Sequence, residues 1–584
     1  MANKKSIIPH FVLGIVIGYL VNRIIELYQS AKPPNQLIAA MEFPQAIMQH
    51  PLSFSLEKAP IWGFLGTLVL IVLMYFLRDS REYMPGAEYG TDRFATPKEK
   101  NLFANKNKWD NIILGNGLFK SLSELSNAMF QRNNNVMLIG GAGSWKTTSF
   151  SMSNIAQMNC SFLMTDPKGQ TIHKVGAMLE SHGYKVLQVD FDTLKNTDHF
   201  NPFAYIHDEV SLKKVIKMLI DATNADHEKK GEPFWDKAEE LLITALMAYL
   251  YYRYRGDGVK PGNGVMPNLA QVGEMIRLLK RKDPDVKSTL ENMFDRFAVV
   301  FGKDNYAYLQ WENFKNNFEG KTHGSILAIS ITRFSIFDLK QVKEFIADDN
   351  LEIEKWCTEK YAVFLKIPDI DDTFNFLPLM VFYLAFRILE NKIDNDFNGE
   401  SPIPIQFFMD EFANLGKVPL IKEVLSVFRS RKMSVVIMLQ NINQLVKVYK
   451  NDWKSFFGTC DSWVYLSGST EPETTKWFSE AAGNKTIYKK TRDRNGIRSE
   501  PMKREVIQQG EVGNLPRKKA LVKIASFPMF KVDKYNYKKH PNAKYFAHKP
   551  TDKNWYEVKR YKDALEAYNA THPTNNETIE IEWI

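Results

Sequence analysis

The sequence predicts an α/β fold built on a parallel sheet, and three observations support this. A short apolar run, Val136–Ile139, is followed by a loop of small residues and then by a segment that can begin a helix. Further apolar runs of strand length follow at the spacing of strand–helix–strand units. A long stretch with helical periodicity separates the early runs from the later ones. It indicates a helical insertion into the sheet domain.

The loop after the first run approaches the phosphate-binding pattern G-x-x-x-x-G-K-[ST]. In that pattern backbone N–H groups and the helix N-terminus surround the phosphates of a nucleotide such as ATP. The lysine reaches the β- and γ-phosphates, and the hydroxyl that follows holds Mg²⁺. The alternative is a glycine-rich turn that binds nothing. The predicted nucleotide-binding residues are Gly140, Gly141, Ala142, Gly143, Ser144, Trp145, Lys146, Thr147 and Thr148.

Trp145 departs from the pattern, which has glycine before the lysine. Glycine permits backbone angles and a close approach to phosphate that a bulky side chain resists. A loop strained by about 1–3 kcal/mol would lose roughly one to two decades of affinity if the strain is relieved in the free state. The pattern therefore favours the fold more strongly than it favours ATP turnover.

Length and charge limit the class of protein. A chain of 584 residues predicts two to four domains. The net charge of +9 suits an anionic partner such as nucleic acid or anionic lipid, although it can also serve solubility alone. The cysteines Cys160, Cys357 and Cys460 are too far apart in sequence to indicate a zinc site or a disulfide framework.

Two apolar segments near the N-terminus, Ile7–Val21 and Ile61–Leu77, approach the ~20 residues that cross a bilayer. We expect a membrane hairpin; the alternative is a cleaved signal sequence followed by one span. The bias of positive charge places both termini in the cytoplasm and predicts a multi-pass protein of the cytoplasmic membrane. The charges that flank the hairpin are Lys4, Lys5, Arg78, Arg81 and Arg93, and those between its spans are Arg23, Lys32 and Lys58.

The domain prediction follows from these patterns. Residues 1–80 form the membrane anchor with two transmembrane helices, and residues 208–345 form the all-helical insertion. Residues 81–207 and 346–545 form the nucleotide-binding domain, and residues 546–584 form a flexible tail. The last hundred residues are expected to be polar and irregular, with basic residues clustered between Lys485 and Arg504.

Polar residues at the ends of later apolar runs predict the catalytic groups. Asp410 and Glu411 end the run that begins at Ile405, as a Mg²⁺-holding carboxylate and a general base would. Gln440 ends the next run, where an amide can sense the γ-phosphate or position the attacking water. Arg429 and Arg431 lie between these runs, and such an arginine can act on a neighbouring subunit's nucleotide. A solvated basic turn is the alternative for both arginines.

Eight ordered motifs, from the juxtamembrane YGTDRFATPKE and GGAGSWKTT to MDEFANLGKVP and FRSRKMSVVIMLQNINQL, resemble the TraG-type coupling proteins of type IV secretion and conjugation. The resemblance runs from the N-terminal anchor to about Asn542. It implies a RecA/FtsK-like P-loop NTPase domain with an all-helical insertion for substrate recognition and an N-terminal transmembrane hairpin. It also implies ATP and Mg²⁺ as cofactors.

The resemblance further implies partners and roles. The partners are a relaxase with single-stranded DNA, the channel ATPases and inner-membrane components of the secretion system, and copies of the same chain in a hexamer when active. By position, Lys146 and Thr147 match the Walker A residues, with Thr147 and Asp410 on the metal. Glu411 matches the Walker B base, Arg429 the arginine finger and Gln440 the sensor.

The sequence leaves two other functions open, of which the first follows from Trp145. A nucleotide-impaired membrane adaptor would dock substrate without motor activity. A chromosome-partitioning translocase of the FtsK type is less consistent with the sequence, since no small C-terminal winged-helix module is visible.

Overall fold

The computed structural model describes residues 8–77, 84, 86–223, 233–281, 283, 285–318, 320–369, 371, 373–493 and 496–558. The chain divides into two compact units. One comprises residues 1–91 with 485–504, and the other comprises residues 92–484 with 505–584. The charges predicted to orient the anchor at Lys4, Lys5, Arg78 and Arg81 lie outside the described residues, as does the tail beyond residue 558.

Thirteen strands lie within the described residues. In chain order they are β1 (Asn111–Gly115), β2 (Leu118–Ser121), β3 (Val136–Ile139), β4 (Ser161–Thr165), β5 (Lys185–Asp190), β6 (Tyr361–Lys366), β7 (Ile405–Met409), β8 (Met433–Leu439), β9 (Ser462–Tyr465), β10 (Asn484–Asp493), β11 (Gly496–Glu505), β12 (Lys519–Ile524) and β13 (Phe530–Asp533).

The α-helices of the described residues are α1 (Ile8–Ser30), α2 (Gln36–Met41), α3 (Phe43–Gln49), α4 (Lys58–Leu77), α5 (Met152–Ile155), α6 (Thr171–Ser181), α7 (Glu209–Thr223), α8 (Pro233–Arg255), α9 (Leu269–Arg277), α10 (Thr289–Phe301), α11 (Tyr306–Asn317), α12 (Gly320–Phe334), α13 (Lys340–Phe345), α14 (Phe376–Asp396), α15 (Ile421–Val427), α16 (Ile442–Tyr449), α17 (Trp453–Thr459), α18 (Pro472–Ala482) and α19 (Gln509–Gly513).

The predicted α/β class is confirmed by the large sheet of the second unit. Its order is β13-β12-β9-β3-β8-β7-β4-β6-β5 among the described strands, and the seven strands from β9 to β5 run parallel. Apolar clusters lie on both faces of this sheet. Strands buried on both faces are continuously apolar, which is why their sequences could be recognised.

The end of the chain is more regular than the sequence indicates. Strand β12 pairs antiparallel with β9, and β13 pairs antiparallel with β12, so residues that we expected to be irregular extend the main sheet. Lysines at positions 519, 523 and 531 interrupt the apolar pattern of these two strands. The expectation of irregular structure was wrong because strands near a sheet edge tolerate such charges.

Residues 546–558, the described part of the predicted flexible tail, pack against α6. The backbone N–H of Ala547 donates to the Lys174 carbonyl at 3.0 Å, and the His173 ring stacks on Trp555. The ring of Tyr556 is buried against α6. The aromatic side chains of this part of the tail thus cover a face of α6, and the flexibility of the tail stays a prediction.

Helices α7 to α13 lie between β5 and β6 in the chain, where the helical insertion was predicted. Their inner faces are apolar and join the cluster on one face of the sheet. The exact predicted domain limits stay a prediction. They differ from the contact-based division at residues 485–504, which group with the N-terminal unit.

In the N-terminal unit, helices α1 and α4 pack against each other through glycines. A Cβ at Gly14 would meet Leu68, one at Gly18 would meet Phe64, and one at Gly63 would meet Ile25. Within the described residues, one helix is long and apolar enough to cross a membrane, over Phe11–Ser30, and the apolar part of α4 is shorter. One apolar N-terminal helix is thus shown, whereas a two-span hairpin is not.

Residues 485–504, predicted to be irregular, form most of a separate two-stranded sheet of β10 and β11. The backbone N–H of Thr486 donates to the Gly90 carbonyl at 3.1 Å, and its hydroxyl accepts from the N–H of Tyr89 at 3.0 Å. This basic hairpin, defined as β10–β11, is therefore tied to the segment that follows α4.

Candidate nucleotide site

The sheet order brings the predicted site residues to one edge. Strand β3 lies between β8 and β9, and β7 lies beside β8. Because these strands are parallel, the loop after β3 meets Asp410 after β7 and Gln440 after β8. Ligands of open α/β sheets bind at this carboxyl edge.

The loop after β3 wraps tightly against the segment after β9. The Gly141 N–H donates to the Ser467 carbonyl at 3.3 Å, and a Cβ at Gly141 would lie 2.1 Å from the Gly468 oxygen. Gly143 has a φ of +68°, and its would-be Cβ faces open space. Glycine is required at the first position by close packing and favoured at the second by the backbone angle.

Trp145 adopts a left-handed backbone conformation, with φ 67° and ψ 33°. This conformation is readily available to glycine and costs an L-residue about 1–2 kcal/mol. Trp145 is 50% exposed. The Lys534 ammonium lies over one face of the indole, 5.2 Å from the centroid of the ring. The tryptophan thus keeps the backbone geometry that glycine would supply, at an energetic cost, and directs its side chain outward.

Lys146 begins a wide helical turn, Lys146–Ser151, that continues into α5. Its buried ammonium donates to the Gly140 carbonyl at 3.1 Å and pairs with the Glu411 carboxylate at 3.3 Å. Gln440 Nε2 donates to the other Glu411 oxygen at 3.1 Å. The predicted phosphate lysine, base and sensor are therefore in direct contact.

The predicted metal ligands also meet. The Thr147 hydroxyl donates to Asp410 Oδ2 at 3.1 Å, and the Thr165 hydroxyl donates to the Asp410 carbonyl at 2.7 Å. Burial raises the pKa of Asp410 to about 6, against the lowering effect of Lys146. A hydroxyl and a carboxylate beside a lysine are the donor set that Mg²⁺ and phosphate require, so these residues fit a magnesium nucleotide.

Arg429 is not brought to this site within the chain. It is exposed and precedes β8, so it lies towards the amino edge of the sheet, away from the loop after β3. Arg431 forms ion pairs with Asp394 and Glu390. An action of Arg429 on a neighbouring subunit therefore stays a prediction.

Lys534 is the site residue that the sequence did not reveal. It follows β13, is 8% exposed, and donates to the Ser144 carbonyl at 2.8 Å and to the Ser467 hydroxyl at 3.2 Å. Burial lowers the pKa of this ammonium to about 8. Lys534 therefore links the loop after β3 to the loop after β9. No motif marks a single lysine so far along the chain.

The loop of small residues after β3, the acidic end of β7 and the glutamine after β8 meet at one edge of the sheet. This arrangement is that of a P-loop NTPase-like α/β fold. Residues 96–572 match the family described as Type IV secretory system Conjugative DNA transfer. The chain belongs to this family, which confirms the resemblance to TraG-type coupling proteins.

Individual relatives agree. The conjugal transfer protein TraG of Rhizobium radiobacter is 18% identical over 60% of this chain and 52% of its own length. TraG of Escherichia coli is 20% identical over 62% of this chain and 56% of its own length, and VirD4 of Rhizobium radiobacter is 21% identical over 56% and 45%. The chain thus spans about half the length of the curated relatives that it matches.

Solved structures of the bacterial conjugative coupling protein TrwB share the fold. An unbound form of TrwBdeltaN70 is similar with a TM-score of 0.55 and 16% identity, over 79% of this chain and 96% of that chain. A TrwB complex with ADP and Mg²⁺ is similar with a TM-score of 0.53 and 16% identity, over 78% of this chain and 96% of that chain.

Proposed function

We propose that this protein is a membrane-anchored coupling ATPase of conjugative DNA transfer. In this proposal it recruits relaxase-bound single-stranded DNA, or a protein substrate, to a type IV secretion channel. The observation that carries the proposal is the contact network of Lys146, Glu411 and Gln440 beside Thr147 and Asp410. Membership of the conjugative DNA transfer family supplies the process.

ATP with Mg²⁺ is the proposed nucleotide, as in the TrwB complex with ADP and Mg²⁺. When bound, it supplies a phosphoryl group for transfer to water. Lys146 would neutralise phosphate charge, and Thr147 and Asp410 would hold the metal. Glu411 accepts a proton from the attacking water, and Gln440 orients the Glu411 carboxylate through its hydrogen bond. Lys146 must exchange its ion pair with Glu411 for phosphate, which frees Glu411 to act as a base.

The proposed architecture is a RecA/FtsK-like motor that assembles as a hexamer, with α1 and α4 as a two-span anchor in the cytoplasmic membrane and the bulk of the chain in the cytoplasm. Glycine-mediated packing of α1 on α4 supports the anchor, since small residues let membrane helices approach closely. The relaxase, channel ATPases and inner-membrane components are the proposed partners.

Steady-state ATPase assays of the full chain test this proposal. Glu411→Gln is expected to lower kcat by about 10²–10⁴ while ATP still binds, and Asp410→Asn is expected to weaken Mg²⁺-dependent binding. Glu423→Gln, at an exposed carboxylate on α15, is the matched control and should change neither. Equal turnover in Glu411→Gln and the unmodified chain would exclude this glutamate as the base.

The left-handed Trp145 favours a second candidate, a nucleotide-impaired adaptor that docks substrate without a motor. ATP turnover by the unmodified chain separates the two functions. A chain that binds relaxase and DNA in pull-down assays, yet shows no turnover that depends on Glu411, would be the adaptor.

A further inference from the structure

The basic hairpin β10–β11 carries an excess of positive charge outside the nucleotide site. Residues 484–505 contain eight lysines or arginines and three acidic residues. The side chains of Lys489, Lys490, Arg492 and Lys503 are exposed. Since successive side chains of a strand point to opposite faces, Lys489 and Lys490 place positive charge on both faces of the hairpin.

Exposed apolar side chains accompany these charges. Ile497 is 71% exposed, Tyr488 47% and Met502 42%. The hairpin forms its own two-stranded sheet, and an isolated two-stranded sheet is marginally stable in water. The combination of cations, an aromatic ring and exposed aliphatic side chains is typical of elements that rest in the headgroup layer of a membrane.

Covalent connection limits how far the hairpin can lie from the end of α4. The Tyr488 hydroxyl donates a hydrogen bond to Glu88 at 3.3 Å. Thr486 forms hydrogen bonds with Tyr89 and Gly90. Glu88 is eleven residues beyond Leu77, the last residue of α4. Such a segment spans at most about 40 Å, and a ten-residue strand adds a reach of about 33 Å.

The edges of the hairpin disfavour another occupant, an added β-strand. Pro501 lacks an N–H donor, and exposed lysines lie on the strands. Proline and lysine on an edge strand oppose edge-to-edge pairing. The hairpin is therefore expected to bind its partner through its basic side chains and not through its backbone, and such side chains favour an anionic surface.

We propose that the basic hairpin β10–β11 docks on anionic phospholipid at the cytoplasmic face of the membrane that holds α1 and α4. Lysines and Arg492 contact lipid phosphates, and Ile497 enters the headgroup layer. The inference rests on the proposed membrane anchorage.

Fluorescence quenching in nanodiscs tests this with the full chain. Cys160, Cys357 and Cys460 are buried, so a thiol-reactive fluorophore can be directed to Ile497→Cys. Val259→Cys, which is 88% exposed in the second unit, is the control position. The nanodiscs contain nitroxide-labelled lipid, with either phosphatidylglycerol or phosphatidylcholine alone as the bulk lipid.

We expect quenching at position 497, but not at 259, in the phosphatidylglycerol discs alone. It should decline as salt rises, since exposed charges are screened over about 8 Å at physiological ionic strength. Each cation near an anionic surface favours binding by about fivefold. Lys489→Gln/Lys490→Gln/Arg492→Gln should therefore lower the docking equilibrium by about a hundredfold, whereas Lys538→Gln/Lys539→Gln/Lys549→Gln, at exposed lysines elsewhere, should not.

Three results would overturn the proposal. One is absence of quenching in a chain that resists alkaline extraction, since that chain is anchored. The second is equal quenching in both kinds of disc, since anionic lipid would then be unnecessary. The third is a response of the label to single-stranded DNA but not to lipid, which would assign the surface to nucleic acid. A chain extracted at alkaline pH would contradict the membrane anchor itself, and with it the docking that rests on the anchor.

Discussion

Trp145 combines a bulky side chain with a backbone conformation that favours glycine. The backbone is left-handed, as glycine favours, while the indole covers Lys534. We expect Trp145→Gly to raise ATP affinity by about tenfold, because glycine removes about 1–2 kcal/mol of strain that the loop bears when nucleotide is bound and can relieve when it is free. Trp145→Ala should gain less, since alanine keeps the Cβ that makes this conformation costly. Isothermal titration with a non-hydrolysable ATP analogue measures both.

An equal gain in Trp145→Ala would contradict this explanation and identify the bulk of the indole as the obstacle. If neither variant gains affinity, the loop accommodates the tryptophan without cost to nucleotide binding. Turnover in each variant should still require Glu411, so Trp145→Gly/Glu411→Gln is the reference for background hydrolysis.

Lys534 gives a second test of how the loop after β3 is positioned. Its bonds to Ser144 and Ser467 are buried, and removal of a buried charged donor costs about 1.5–3 kcal/mol. We expect Lys534→Met to weaken ATP binding by about tenfold or more through a misplaced loop. Lys531→Met, at an exposed lysine on β13, is the control. Unchanged affinity in Lys534→Met would exclude a role in positioning the loop.

Some of the site residues could be predicted from the sequence, and Lys534 could not. Lys146, Asp410 and Gln440 were recognised because each ends or follows an apolar strand, and the structure brings Lys146 and Gln440 onto Glu411 and Asp410 onto Thr147. Lys534 was missed because its contact with Ser144 depends on the antiparallel pairing of β12 and β13. Long-range pairing at a sheet edge leaves no local pattern in one sequence.

At the scale of elements, the same distinction separates the central strands from the late ones. Strands such as β3 and β8 are buried on both faces and apolar throughout, so their sequences identify them. In β12 two half-buried lysines interrupt the buried residues, and the basic hairpin is largely exposed. Polar composition predicted irregular structure in both, although backbone pairing requires no apolar side chain.

The segment after residue 545 gives a prediction about α6. The ring of Tyr556 lies against Gly176, where an added Cβ would be 2.5 Å from the ring. Deleting a large buried aromatic side chain typically costs 3–5 kcal/mol, so Tyr556→Ala should lower the thermal midpoint of the second unit by several degrees. The exposed neighbour variant Glu557→Ala should leave it unchanged. Equal midpoints by scanning calorimetry would mean that residues 546–558 contribute nothing to the fold.

At the scale of the whole molecule, Arg429 raises the question of assembly. It is exposed towards the amino edge of the sheet, whereas Glu411 lies at the carboxyl edge. One chain therefore does not bring both groups to one nucleotide. If Arg429 is an arginine finger, it must act on the site of an adjacent subunit, and each active site then combines Glu411 of one chain with Arg429 of the next.

Subunit mixing tests this arrangement. Arg429→Ala should lower ATP turnover by about 10³-fold or more, since an arginine finger contributes about 10³–10⁵ in kcat, and Glu411→Gln should lower it by about 10²–10⁴. In a mixed ring, an Arg429→Ala subunit retains Glu411, and its Glu411→Gln neighbour supplies the arginine. Turnover should therefore reappear on mixing. Arg431→Ala is the control, because it loses only ion pairs within its own chain. Mixing it with Arg429→Ala should restore no more ATP turnover than mixing the unmodified chain with Arg429→Ala does. Suppose that mixtures of Arg429→Ala and Glu411→Gln form rings, as measured by mass photometry, and yet show no ATP turnover. That result would show that Arg429 does not act between subunits.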